Sequence, residues 1–307
     1  MPRFTIVICT YERPRLLKRA IRSVLSQTFE DFELLIVDDG SKEGGVAEVL
    51  SHFSDERIRF SQNATNRGLG YSSNIAFSQA KGEFITTLGD DDEYLPEFLE
   101  RTASHLDSTG VAFCWCGIRE YFEHREPRET VVILPSLDRV QRQMVAARIG
   151  SGYGFTFRKD CLDHVGGFDE DLVACLDLDF FLKLVQGPWE WAGLPEILVK
   201  VHRVPKRLTA NDLKRSKSLA TVLLKHEEFL NSHLALNSNL HHALGVGLVE
   251  QGERLWARRV LWSWVRRSPN ETRFWVPLIS NELRYSWLGR KLLSIYRWSL
   301  QRWLSFG

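Results

Sequence analysis

Three consecutive carboxylates, Asp90, Asp91 and Asp92, follow an apolar run in the segment TLGDDDEYLP, and Glu93 comes next. Like charges this close repel one another unless a cation or a helix start offsets the repulsion. A hard divalent cation prefers oxygen ligands and often takes one or two carboxylates together with substrate phosphates. The alternative is a solvated helix start, because acids are favoured in a first turn and Pro96 is typical of one. The segment alone leaves both interpretations open.

A second acidic pair, Asp38 and Asp39, precedes Gly40 and Ser41. These residue types are turn formers, but an acid at a strand end can also accept a hydrogen bond from a ribose hydroxyl or a base N–H. The first strand is not followed by a Gly-x-Gly-x-x-Gly motif, which argues against a dinucleotide-dependent dehydrogenase. A Gly-x-x-x-x-Gly-Lys-Ser/Thr loop is absent as well, so a P-loop NTPase is excluded.

Strands alternating with helices must position these acids. The predicted strands are 4–9, 32–37, 57–60 and 83–88, a helix follows Pro14, and another covers 71–80. This alternation predicts βαβ units and a mostly parallel sheet, in which ligands bind beyond the carboxyl ends of the strands. Thr10, Asp39 and Asp90 each follow such an end, so we expect them at one edge of the sheet. This convergence favours the metal-site interpretation of the acids.

Further along the chain the pattern predicts more strands and helices. Residues 111–134 are strand-rich with a charged break at 123–129, a short helix covers 177–186, and a single helix covers 213–230. The chain has 307 residues, 44% of them apolar and 26% charged, a composition typical of a globular α/β protein with an appendage.

The motifs IVICTYERP, LLIVDDGS, NRGLGYSSNIAFSQAKGEFITTLGDDDEYLP and GGFDEDLVACLDLDFFLKL occur in this order over about residues 3–205. In this series the chain resembles the family-2 inverting glycosyltransferases with the GT-A fold. The resemblance implies a Rossmann-like α/β domain at 1–205, with a nucleotide-sugar half at about 1–95 and an acceptor half at 96–205. Residues 206–307 would then be a helical C-terminal extension.

The resemblance also implies roles for single residues. The residues expected to bind the nucleotide sugar are Thr10, Tyr11, Asp39, Arg67, Asp90 and Arg203. Asp91 is expected to ligate Mn²⁺ or Mg²⁺, with Asp90 as a second ligand near the ribose. Many relatives have Asp where Gly89 stands, so the acidic motif is shifted here.

Asp177 is expected to act as the general base on an acceptor hydroxyl, with Asp179 as the fallback. Relatives often have Glu-Asp at this helix start, whereas this chain has Leu176 before Asp177. Without the resemblance, an acidic helix N-terminus would be the simpler interpretation. The implied function is metal-dependent transfer of a sugar, with UDP-sugar as the expected donor, to a hydroxyl of a glycan or lipid-linked acceptor in surface polysaccharide biosynthesis.

The C-terminal part differs in charge from the rest. From Gln251 onward the chain has eleven Arg or Lys against three acids and seven of its ten Trp, whereas the whole chain has a net charge of +1. Six apolar or aromatic residues share one predicted helical face: Tyr285, Leu288, Leu292, Ile295, Tyr296 and Trp303. Basic helices with Trp suit an anionic membrane surface, although packing on the catalytic domain or on a second subunit fits equally well.

An odd number of cysteines, five, favours a reducing compartment, and the start of the chain lacks signal-peptide features. We therefore expect a cytoplasmic protein, with the inner face of the cell membrane as a further place of contact. Nucleic acid is not expected as a partner, whereas a homo-oligomer remains open. Two other function classes compete: an inactive scaffold that binds sugar nucleotides, and a nucleotidyltransferase, which would require a Gly-rich basic loop after the first strand.

Overall fold

The computed structural model describes residues 1–42, 45–122, 125–130, 154–203 and 212–282. The chain forms two compact units, one of Met1–Pro135 with Arg148–Arg207 and one of Ser136–Ala147 with Leu208–Gly307. The first unit is a sheet with helices, and the described part of the second is helical.

Nine strands of the first unit form one mixed sheet in the described part of the chain. They are β1 (Phe4–Thr10), β2 (Phe32–Asp38), β3 (Ile58–Gln62), β4 (Phe84–Thr87), β5 (Glu93–Tyr94), β6 (Phe113–Phe122), β7 (Arg125–Thr130), β8 (Thr156–Arg158) and β9 (Trp191–Arg203). Their order is β3-β2-β1-β4-β8-β6-β9-β5, and β7 pairs with β6. Strands β3, β2, β1 and β4 are parallel, β8 is antiparallel to both its neighbours, and β9 is parallel to β6. The predicted α/β class is confirmed.

Among the described residues, six helices accompany this sheet: α1 (Pro14–Leu25), α2 (Gly45–Leu50), α3 (Leu69–Gln79), α4 (Phe98–Thr109), α5 (Cys161–Val165) and α6 (Leu176–Val185). Pro14 suits the first turn of α1 because its fixed φ matches a helix and its missing N–H would be unpaired there. The apolar stripe of α1, which includes Leu17, Ile21 and Val24, is buried. Every residue of β2 is buried as well, as expected where both faces of a sheet are covered.

The strand register brings the ends of β1, β2 and β4 together. Thr10 pairs with Asp38 at the ends of β1 and β2, and the Asp39 N–H donates to the Thr10 carbonyl at 2.9 Å. Strand β4 ends at Thr87, which pairs with Val7 of β1. The next residues continue past the end of β4 toward the end of β1, so the acidic segment reaches the same edge of the sheet as Asp39.

The second unit contains five described helices. They are α7 (Asp212–Lys225), α8 (Glu227–Ser232), α9 (Leu234–Glu250), α10 (Arg254–Arg267) and α11 (Thr272–Glu282). Leu261, Trp264 and Phe274 are at the core between α10 and α11, and the Trp264 and Phe274 rings stack at 5.8 Å. Within the described residues, none of the helices is both long and apolar enough to cross a bilayer.

Two predicted elements were wrong in detail. The single helix over 213–230 is divided into α7 and α8, because the backbone leaves the helical conformation at His226 and the acids Glu227 and Glu228 then favour a new helix start. The predicted charged break at 123–129 contains most of β7, whose pairing with β6 overrides the low strand propensity of Arg and Glu. The predicted apolar face of 285–303 lies outside the described residues.

Candidate active site

The Asp39 carboxylate holds the loop 63–68 against the end of β2. Its Oδ1 accepts hydrogen bonds from the Arg67 N–H and the Asn63 amide, both at 2.9 Å, and its Oδ2 accepts one from the Gly68 N–H at 2.8 Å. The side chain is buried. A carboxylate has about four lone-pair positions, so it can also accept a hydrogen bond from a base or a ribose. Asp39 therefore shapes the loop in addition to offering the acceptor that the sequence predicted.

Two of the three consecutive acids face the start of α1. The Thr10 hydroxyl donates to Asp90 Oδ2 at 2.8 Å, and Arg13 Nη1 lies 3.2 Å from Asp90 Oδ1 and 3.6 Å from Asp91 Oδ2. Burial raises the pKa of Asp90, and the neighbouring Asp91 charge raises it further, whereas Thr10 and Arg13 lower it. Asp90 and Asp91 thus form a buried pair of carboxylates that faces the positive charge of Arg13.

The third acid and Glu93 face β9 instead. Asp92 Oδ1 accepts the His202 N–H at 2.9 Å, and His202 Nε2 is 2.7 Å from Glu93 Oε1. Arg19 of α1 supports the same turn, since its Nη2 donates to the Asp91 carbonyl at 2.6 Å and its Nε is 3.6 Å from Glu93 Oε1. Burial lowers the pKa of His202 against the opposing effect of Glu93. These contacts fix the position of the acidic turn between α1 and β9.

Gly89 permits this arrangement of the acids. A Cβ atom at position 89 would lie 3.1 Å from both Asp91 Oδ1 and Asp92 Oδ2, closer than an ordinary contact. A side chain at this position would require these carboxylates to shift by a few tenths of an ångström. Gly89 therefore leaves room for the Asp91 and Asp92 carboxylates to lie close to the backbone at position 89.

Tyr11 and Arg67 are exposed beside the same strand ends. The residue after Tyr11, Glu12, has a positive φ of 53°, and its N–H donates to Ser41 Oγ at 2.8 Å. This turn ties the β1–α1 loop to the β2 loop. The Arg67 guanidinium lies over the Tyr71 ring at 4.3 Å from the ring centroid, a cation–π contact that orients an exposed side chain.

The two candidate bases have different surroundings. Asp177 is half-buried in the first turn of α6, where its Oδ1 is 3.0 Å from the Leu178 N–H. Asp179 is fully buried, and its Oδ2 is 3.0 Å from Lys183 Nζ one turn further along. A general base must reach the proton that it removes, so these environments favour Asp177 over Asp179.

Asn74 of α3 fixes the loop that leads toward α6. Its amide donates to the Phe168 carbonyl at 3.0 Å and its carbonyl accepts the Phe168 N–H at 2.8 Å. Gly167 allows this close approach, since a Cβ there would overlap the Asn74 side chain. A Cβ on Gly70 would similarly lie 2.8 Å from Leu176. Helix α6 is therefore held close to the start of α3, which follows the loop bound by Asp39.

The structure thus brings Thr10, Asp39 and Asp90 to one edge of the sheet. For Arg203 only the backbone, at the end of β9, is described, so its side chain lies outside the described part of the chain. Sequence reasoning assigned no role to four residues that position the site: Arg13, Arg19, Asn63 and Asn74. Arg13 and Asn74 stood in quoted motifs, although no role was assigned to them, whereas Arg19 on the polar face of α1 and Asn63 lay outside the motifs.

The donor set at Asp90 and Asp91 fits a divalent cation. Within the residues that the structure describes, no three His, Cys, Asp or Glu side chains are grouped as a metal cluster. The two carboxylates nevertheless converge on one cationic nitrogen of Arg13. A Mg²⁺ or Mn²⁺ ion that takes its remaining ligands from a diphosphate and water needs no more than one or two protein carboxylates.

Comparisons with known proteins agree with the motif resemblance. The model of glycosyl transferase family 2 matches residues 5–166. A GalNAc(5)-diNAcBac-PP-undecaprenol beta-1,3-glucosyltransferase of Campylobacter jejuni is 36% identical over 97 residues, which is 31% of each chain. Longer matches cover 62% of the length of one relative and 72% of two others.

Solved structures share the fold. The structure of S. aureus TarS 1–349 in complex with UDP-GlcNAc has a TM-score of 0.70 at 18% identity, covering 93% of both chains. The mannosyltransferase PcManGT from Pyrobaculum calidifontis, in complex with GDP-Man and Mn²⁺, has a TM-score of 0.61 at 17% identity, covering 96% of this chain and 84% of that one. The family model covers more than half of the chain, and the predicted family is confirmed: the chain belongs to glycosyl transferase family 2.

Proposed function

We propose that this protein transfers a sugar from a nucleotide diphosphate to a hydroxyl group with inversion at the anomeric carbon. One observation carries the proposal. The Asp90 and Asp91 carboxylates converge on the positive charge of Arg13, at the same edge of the sheet as Asp39. The fold shared with complexes of UDP-GlcNAc and GDP-Man supports a nucleotide-sugar donor. We take a UDP-sugar as the first donor to test. We further propose that the acceptor is a glycan or a lipid-linked molecule in surface polysaccharide biosynthesis.

The donor-binding residues in this proposal surround the ends of β1 and β2. Asp39 accepts a hydrogen bond from the base or ribose, while Thr10 and Asp90 form the floor of the site. Tyr11 and Arg67 are exposed and so available to the base and the phosphates. Arg203, at the end of β9, is proposed to reach the diphosphate. These residues lie in 1–205, which we propose as the catalytic domain, with 206–307 as its extension.

Asp91 and Asp90 would hold Mn²⁺ or Mg²⁺. Such an ion, when bound, neutralises negative charge on the departing diphosphate. The Arg19 contact fixes the Asp91 backbone and the Thr10 contact fixes the Asp90 side chain, so these residues would present their carboxylates to the ion from fixed positions. Rigid placement of this kind is what makes electrostatic stabilisation effective.

Asp177 is the proposed general base. Its carboxylate accepts the proton of the acceptor hydroxyl as that oxygen forms a bond to the anomeric carbon. At the same time the bond from this carbon to the diphosphate oxygen breaks, and the nucleoside diphosphate leaves with the electron pair. A single displacement of this kind inverts the anomeric configuration. Asp179 is the fallback base, although its burial beside Lys183 argues for a structural role.

Contact with a membrane surface is a further part of the proposal. Helix α10 exposes Leu255, Trp256 and Trp262, whose exposed fractions are 76%, 59% and 39%. Arg259 lies over the Trp256 ring and Arg266 over the Trp262 ring. A helix face that combines indole rings with arginines suits the headgroup region of an anionic bilayer. A lipid-linked acceptor would be presented at such a surface.

The deciding experiment is a panel of UDP-, GDP- and dTDP-sugars incubated with the full-length protein and Mn²⁺. Slow hydrolysis of one donor, stopped by EDTA and restored by Mn²⁺, is the expected result. Binding of a sugar nucleotide by calorimetry without hydrolysis or transfer across the panel would favour the scaffold alternative instead. Failure to bind any sugar nucleotide would refute both.

A further inference from the structure

Arg13 occupies the position on which the two proposed metal ligands converge. Its Nη1 lies 3.2 Å from Asp90 Oδ1 and 3.6 Å from Asp91 Oδ2. We propose that Arg13 is an internal counter-ion that keeps the donor-free site from binding the divalent cation tightly, and that the donor diphosphate draws it away. Arg13 would then be a positioning residue that couples metal binding to donor binding. This inference rests on the proposed function.

The two neighbouring carboxylates are stabilised by a positive charge when no metal ion is bound. Asp90 and Asp91 are adjacent and buried, so leaving both ionised without a cation is costly. A guanidinium stays protonated at every accessible pH and therefore cannot yield its place by losing a proton. A divalent ion entering between the carboxylates meets this positive charge, so Arg13 must move or the ion binds weakly.

The contact geometry allows Arg13 to move. Both ion pairs use the same Arg13 nitrogen, so in the described contacts Arg13 holds neither carboxylate through two parallel hydrogen bonds. Arg57, in contrast, binds Asp55 through Nε and Nη2 at 3.0 and 2.7 Å. Arg13 also stands at the boundary of α1, with part of its side chain exposed. Because guanidinium groups pair with phosphate through two parallel hydrogen bonds, a diphosphate offers Arg13 a better partner than its present one.

Thermodynamic linkage turns this exchange into cooperativity. A donor that binds the displaced Arg13 leaves the carboxylates open to the cation, and a bound cation leaves Arg13 open to the donor. Each ligand then raises the affinity of the other by the same factor. The donor-free protein stays largely without metal, so cation and nucleotide sugar enter the site together.

Calorimetric titration of the full-length protein with MnCl₂, in the absence of nucleotide, tests the inference. The Arg13→Gln variant should bind Mn²⁺ about tenfold more tightly than the wild type, which corresponds to about 1.4 kcal/mol. Added UDP should strengthen Mn²⁺ binding in the wild type and do so markedly less in Arg13→Gln. Arg13→Lys keeps the charge, so its Mn²⁺ affinity in the absence of nucleotide should stay close to that of the wild type.

Matched variants separate this effect from others. Arg15→Gln removes the same charge from an exposed position on the same turn and should leave Mn²⁺ affinity unchanged. Asp91→Asn should abolish the titration signal, which identifies the site being measured. Equal or weaker Mn²⁺ binding by Arg13→Gln overturns the counter-ion inference while the proposed function stands. Tighter Mn²⁺ binding without any UDP binding supports the counter-ion and refutes the donor site, and absence of Mn²⁺ binding in every variant refutes both.

Discussion

At the scale of single residues, neighbouring acids with the same chemistry have different duties because their surroundings differ. Asp90 and Asp91 face the guanidinium of Arg13, whereas Asp92 accepts a backbone hydrogen bond from His202 of β9. The triplet is therefore divided into a pair of carboxylates that faces a cationic side chain and one carboxylate that anchors the turn to β9. The sequence could locate the triplet but could not divide it, because the division depends on a strand more than a hundred positions away.

This division gives a prediction with a matched control. Asp91→Asn should lower metal-dependent transfer by at least about a hundredfold, the usual scale for loss of one electrostatic group in an active site. Asp92→Asn removes the same charge one position later, yet its amide oxygen can still accept the His202 N–H. Donor turnover at saturating Mn²⁺ measures both variants. Equal losses in the two variants would mean that the triplet acts through its total charge.

The second prediction concerns Asp177. Asp177→Asn should keep donor affinity within about twofold by calorimetry but lower transfer by about 10²–10⁴-fold, the range that general-base catalysis supplies. At neutral pH the acceptor hydroxyl is too weakly acidic to lose its proton without a base. Product formation from a radiolabelled donor is the measurement. Unchanged turnover would move the base to another residue.

At the scale of elements, α6 is placed by side chains outside its own sequence. Asn74 clamps the backbone at Phe168, and Lys183 joins Asp179 to the Gly167 carbonyl through contacts of 3.0 and 3.1 Å. The helix start that carries Asp177 therefore stays in place through α3 and the loop before α6. Asp179 lies on the inner side of the helix, where its ion pair with Lys183 offsets the cost of burying an acid.

Replacing Asp179 should accordingly act on stability. Asp179→Ala leaves the Lys183 ammonium without its buried partner, and the free energy of unfolding should fall by about 2–3 kcal/mol, less than for a fully buried pair because Lys183 is part-exposed. Urea unfolding monitored by tryptophan fluorescence measures this change. Asp177→Ala on the same helix is the control and should shift the free energy by less than about 0.5 kcal/mol. A stable Asp179→Ala protein without transfer activity would contradict the structural role.

Elements with strong local patterns were predictable from the sequence, and those set by pairing were not. The apolar runs of β1 and β2 are strong local signals, so the bounds of both strands were predicted to within one residue, and Pro14 indicated the start of α1. Strand β7 and the two-residue β5 depend on partners in β6 and β9. The convergence of Thr10, Asp39 and Asp90 followed from parallel topology, whereas the Arg13 and Asn74 contacts require side-chain geometry that no local pattern encodes.

At the scale of the whole molecule, the second unit carries its own surface chemistry. On α10, Leu255, Arg259, Trp262 and Arg266 are spaced by three or four residues, so they share one helix face. All four are exposed in this unit, although its interior is closed by Trp264 and Phe274. An exposed face of this kind is typical of a surface that contacts another protein or a membrane.

Sedimentation with vesicles tests whether that partner is a lipid surface. The wild type should bind vesicles with 30% phosphatidylglycerol and not neutral vesicles at about 0.1 M salt, because arginine attraction to anionic lipid is screened by ions. Trp256→Ala with Trp262→Ala should lower the bound fraction severalfold. Leu234→Ala, which removes another exposed apolar side chain in this unit, should not. Binding that persists in the double variant would place the contact elsewhere.

The hydrogen bonds received by Asp39 restrict how the donor preference of this enzyme can be redesigned. Because the same carboxylate accepts the Arg67 and Gly68 backbone N–H groups, a substitution at position 39 that removes these acceptors would release the loop as well as the proposed donor contact. Libraries for altered donor choice should therefore keep Asp39 and vary Tyr11 and the Arg67 side chain, whose exposed positions tolerate change. Donor preference can therefore be changed through the exposed residues Tyr11 and Arg67, while Asp39 is kept in every variant.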